Sequence, residues 1–73
     1  MFKPGDLVII KSANDMWKHL VGQIGIFIRE DDGIYSHLVK PVHCDYKVKF
    51  AEEDLEYLCS SKEIIKILGE ENI

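Results

Sequence analysis

The residues able to do chemistry in this chain are three histidines, two cysteines and a scatter of carboxylates. Their spacing argues against most of the chemistry they might suggest elsewhere. Zinc sites use paired ligands at tight intervals, such as Cys-x-x-Cys or His-x-x-x-His. Here His43 and Cys44 are adjacent, and neighbours on an extended chain point to opposite faces, so they do not readily share an ion. His19, His37, Asp45 and Cys59 supply no better pairing. The expectation is no metal and no cofactor, with Cys44 and Cys59 as free, partly buried thiols. Nucleophilic catalysis by either cysteine meets the same spacing problem, and a chain of 73 residues has little volume left for a substrate pocket. Neither a Gly-rich phosphate loop nor a His-Glu-x-x-His motif occurs. The chain reads as a non-enzyme.

Met16-Trp17-Lys18-His19 is the more telling segment. It holds the lone tryptophan, inside a stretch from Ser12 to Leu20 that is otherwise polar and irregular. Two readings follow: Trp17 pins the loop as a cap over the core, or it offers an aromatic anchor to a partner. Met16 and Trp17 have no alternating or helical pattern that assigns them to a core face, and Lys18 and His19 add donors beside them. The expectation is a partner-binding surface made of Met16, Trp17, Lys18 and His19, with Tyr35 and Tyr46 completing it if the loop folds over them.

Nine basic against thirteen acidic residues give a net charge of −4, which weighs against a nucleic-acid partner, since such domains usually carry a basic face. Leu7-Val8-Ile9-Ile10 is the longest aliphatic run, far short of the roughly 20 residues that span a bilayer. With no apolar leader at the N-terminus, the expectation is a soluble, cytoplasmic protein without a membrane partner.

The elements that must position the loop read as short strands. Lys3-Pro4-Gly5-Asp6 is a turn signature, followed by a strand over residues 7–11. A second strand is expected over 21–30 with Ile24, Ile26 and Ile28 facing inward at period two, although Gly25 marks a bend or close backbone approach. Asp31-Asp32-Gly33 predicts a tight hairpin into a third strand over 34–42, which Pro41 should end. Tyr46, Val48 and Phe50 alternate inward, with Lys47 and Lys49 facing water. Residues 51–54 suit one helical turn, and 55–58 a last strand. Val8, Ile10, Ile24, Ile26, Ile28, Val48 and Phe50 should form one core. Ser60 and Glu63 have capping-box spacing, and Ile64, Ile65 and Leu68 form one stripe, so a short C-terminal helix over 60–73 should dock on a domain spanning 1–59.

Lys3-Pro4-Gly5-Asp6-Leu7-Val8-Ile9-Ile10, followed by Val21-Gly22-Gln23-Ile24-Gly25-Ile26-Phe27-Ile28, resembles the opening of small SH3-like barrels of the KOW type. The stretch from Val48-Lys49-Phe50 to Leu55-Glu56-Tyr57-Leu58 is similar to the ending common in small bacterial and phage SH3-like proteins. The likeness covers residues 3 to 58. It implies an all-β barrel of about five antiparallel strands, binding RNA or protein through its loops. This chain is acidic and its first loop is longer than a KOW core needs, so a protein partner is the expectation. The alternatives are a KOW-like RNA-binding module and an accessory or regulatory subunit of a larger complex.

Overall fold

A computed structural model describes residues 2–62. The turn at its start is built as the side chains require. The Lys3 amide donates to the Asp6 carboxylate at 2.7 Å, the Asp6 amide donates to the Lys3 carbonyl at 2.9 Å, and Gly5 takes a φ of 92°. Five strands follow: β1 (Asp6–Ile10), β2 (Ile24–Glu30), β3 (His37–Pro41), β4 (Val48–Phe50) and β5 (Leu55–Ser60). They form one antiparallel sheet in the order β4-β3-β2-β1-β5, so the chain meanders through four strands and returns to pair its last strand with its first. A 3-10 helix (Asp15–Leu20) lies between β1 and β2, and a 3-10 turn (Glu52–Asp54) precedes β5.

One face of the sheet holds the core. Val8 and Ile10 from β1, Phe27 from β2, Val39 from β3, Val48 and Phe50 from β4, and Leu55 from β5 join Leu20 from the 3-10 helix in one buried cluster. Phe2, Ala13, Trp17 and Cys44 pack against it. Every strand contributes, which is what apolar burial demands of a sheet this small.

The inward face of β2 is the reverse of the expected one. Gly25 and Phe27 point into the core, while Ile24 and Ile26 lie on the outer face, 41% and 36% exposed, and Ile28 is only half-buried. Counting isoleucines favours the wrong parity. Space decides the right one: a Cβ on Gly25 would sit 2.5 Å from the Val39 Cγ1, so only glycine lets β2 approach β3 this closely, and the Phe27 ring fills the interior beyond it. Ile28 falls at an irregularity where Phe27 pairs with Val39 but Arg29 pairs with Leu38.

Other boundaries shift for local reasons. The β2–β3 connection spans residues 31–36 rather than a two-residue Asp-Gly turn, closed by the Asp31 amide donating to the Ser36 carbonyl at 2.6 Å. Ile34, expected to begin the third strand, is 83% exposed on it. Tyr46, expected to face inward with Val48 and Phe50, precedes β4 and is exposed rather than buried. The expected strand over 21–30 starts only at Ile24, because Val21 to Gln23 turn the chain out of the 3-10 helix. His37 is buried on the core face between Phe2 and Phe27, with ring centroids 5.6 and 5.4 Å away. Its Nδ1 shares a hydrogen bond with the Ser36 hydroxyl at 2.8 Å. The expected C-terminal helix with Ile64, Ile65 and Leu68 lies outside the described residues; Ser60 ends β5, and its hydroxyl accepts from the Lys62 amide at 3.2 Å.

Candidate functional site: an aromatic end of the sheet

The long first connection is ordered by its own sequence. Asn14 caps the 3-10 helix, its side-chain oxygen accepting from the Met16 amide at 3.1 Å and the Trp17 amide at 3.3 Å. Leu20 anchors the far end in the core. The base is tied to the turn before β5: the Lys11 amide donates to the Asp54 carbonyl at 2.7 Å, and the Ser12 hydroxyl bonds the Asp54 carboxylate. Asn14 is a site-building residue that composition alone did not single out. An Asn-Asp pair ahead of an aromatic is the helix-start signal that reveals it.

This helix presents its aromatics at the end of the sheet where β3 hands over to β4. Trp17 is half-buried, resting on the core on one side and on Tyr46 on the other, with ring centroids 5.6 Å apart and planes tilted by 39°. His19 lies 6.2 Å from the Trp17 ring. Met16 is 72% exposed beside them, and Tyr46 is 44% exposed. Lys18 and His19 are exposed, and Lys18 reaches Asp15 at 3.6 Å in an exposed ion pair that holds little energy. The Cys44 amide donates to the Pro41 carbonyl at 3.1 Å, closing the turn that precedes Tyr46. A hydrogen bond with the Cys44 thiol, then partial loss of water, then the charge of the thiolate, push the Tyr46 phenol above its usual 10.0.

Of the six residues expected to form a binding surface, Trp17, His19 and Tyr46 are in ring contact, and Met16 and Lys18 belong to the same 3-10 helix. Tyr35 does not join them. It sits in the β2–β3 connection, and β2 leaves the 3-10 helix at Ile24 and reaches that connection only after Glu30, so Tyr35 lies at the opposite end of the sheet. The same opposite end carries a groove lined by Phe2, Pro4, Asp6, Tyr57 and Ser60, remote from Trp17.

Among the described residues, no three His, Cys, Asp or Glu side chains converge where an ion could bind, and no helix is long and apolar enough to cross a membrane. Comparison with family models, curated proteins and solved structures returns no match for this chain.

Proposed function

We propose that this chain is a small SH3-like barrel acting as a non-enzymatic binding module, and that it holds a protein partner at the aromatic end of its sheet. The strand order, the long first connection and the 3-10 turn ahead of the last strand support the barrel reading, since they follow the plan that the sequence resembles. The observation that carries the binding reading is the Trp17–Tyr46 pair, with Trp17 set on a capped 3-10 helix and flanked by an exposed Met16. Partly exposed aromatics beside donors are the composition of interface hot spots, because aromatic rings add large contact area. The net charge of −4 favours protein over nucleic acid.

The test is comparative affinity capture from one cell extract with three baits: the parent chain, Trp17→Ala and Tyr35→Ala. Proteins that bind at this end are retained by the parent and by Tyr35→Ala and lost with Trp17→Ala. Equal capture by folded Trp17→Ala would remove the site from this end of the sheet.

A further inference from the structure

The outer face of β1 and β2 carries an apolar stripe that the core does not use. Leu7 stands opposite Ile26 and Ile9 opposite Ile24, two cross-strand aliphatic pairs side by side. Ile24 and Ile26 are large, exposed and adjacent, and Leu7 and Ile9 are half-buried between them and β5. Scattered aliphatics on a surface need no explanation, but four in one block on two paired strands do.

Charge on the two flanks of this stripe indicates its occupant. On the β3 flank, Lys40 pairs with Ile26 on the outer face, since its neighbours Val39 and Pro41 face the core. On the β5 flank, Glu56 pairs with Ile9, also outward, since Leu55 is buried. Basic side, apolar centre and acidic side therefore run in order across one face. A surface of this kind complements itself. A two-fold axis parallel to the strands and lying between β1 and β2 reverses their left-to-right order, setting β1 against β2 of the other copy and β3 against β5. Lys40 of each copy then meets the strand that carries Glu56 of the other, while the aliphatic pairs stack at the axis. An axis perpendicular to the strands sets like charges together and is disfavoured.

We propose that this chain self-associates into a two-fold dimer through the outer face of β1 and β2, with Leu7, Ile9, Ile24 and Ile26 at its centre and Lys40–Glu56 pairs at its flanks. The aromatic end of the sheet stays free of this contact, so the dimer presents two copies of that end.

Sedimentation equilibrium of the full chain, from about 10 µM to about 1 mM, reads the association directly. The expected result is a rise from the monomer mass of 8.4 kDa toward twice that value. Ile26→Lys, a change at an exposed position, should weaken association at least about tenfold with an unchanged circular dichroism spectrum. Lys40→Glu should weaken it as well, and Lys40→Glu combined with Glu56→Lys should restore it. A full chain that stays at monomer mass throughout overturns the proposal, whether residues 63–73 or a different protein covers the stripe. A dimer indifferent to Ile26→Lys overturns it too, by placing the contact on another face.

Discussion

The position a Cβ would take on Gly25 lies 2.5 Å from the Val39 Cγ1, closer than any side-chain carbon can stand. This contact sets how near β2 runs to β3, and through it which face of β2 is the core face. Gly25→Ala should therefore destabilise the fold by about 1–3 kcal/mol, the usual cost of overpacking a close-packed interior. Chemical denaturation measures it, and Val39→Ala in the same chain should return part of the loss by clearing the obstructing methyl. Additive losses in the double variant would show that the two positions do not meet.

Asn14 holds the 3-10 helix by accepting two amide hydrogens with one side-chain oxygen. Asn14→Ala should cost about 1 kcal/mol of stability, as loss of such a cap does. Because the Met16 amide loses its side-chain acceptor while the Trp17 amide keeps its 3.0 Å bond to the residue-14 carbonyl, the variant should loosen the start of the helix, visible as faster amide exchange at Met16. Unchanged exchange would mean that Leu20 and the core contacts of Trp17 suffice to hold the helix.

Most strands were legible from the sequence because β-branched runs and turn residues punctuate the chain so clearly. Val8, Ile10, Val48 and Phe50 alternate inward as expected. What misled was β2, where Ile24-Gly25-Ile26-Phe27-Ile28 offers two apolar registers: hydrophobicity chooses the isoleucines, and only the space beside Val39 chooses Gly25 and Phe27. That space is a property of the neighbouring strand and is not written in β2. The tight Asp32-Gly33 turn differs for a related reason, since the connection closes between Asp31 and Ser36, with four residues between them. At the site, residue types drew attention to Trp17, but its contact with Tyr46 depends on which end of the sheet each connection occupies. That is decided by strand order, and strand order places Tyr35 at the other end.

Asp31 anchors the same connection electrostatically. Arg29 donates to its Oδ1 at 2.9 Å, and the Lys49 Nζ lies 3.3 Å from its Oδ2. The Arg29 hydrogen bond, with Lys49 behind it, holds the carboxyl below its ordinary 3.8. A group depressed in the folded state adds stability above its unfolded value and loses it as pH falls through the folded one. Parent and Asp31→Asn should therefore differ in denaturation midpoint at neutral pH, and the difference should shrink as pH drops below 3.8. A gap independent of pH would assign the effect to the amide itself.

Tyr46 reports the aromatic end from the alkaline side. Its phenol lies above 10.0 first because of the Cys44 hydrogen bond, so its contribution to stability is complete below 10.0 and is lost as pH rises through the folded value. Cys44→Ala should lower its titration midpoint toward 10.0, read by ultraviolet absorption of the phenolate with Tyr46→Phe as the reference. A midpoint that does not move would place the thiol out of reach of the hydroxyl.

Trp17 divides its surface between core and solvent, so its substitution must separate two effects. The face resting on the core supports the 3-10 helix, and the face against Tyr46 forms the exposed platform. Trp17→Ala removes both and should weaken partner binding by at least about 2 kcal/mol, the level that marks a hot spot. Tyr46→Ala removes the platform and the Cys44 hydrogen bond but no side chain packed on the core. It should cost binding with little loss of stability. Titration of the captured partner against parent and both variants, beside their thermal unfolding, tests this division. Binding that follows stability in both variants would make Trp17 a cap over the core and nothing more, whereas binding lost with Tyr46→Ala at unchanged stability would place the partner on the rings themselves.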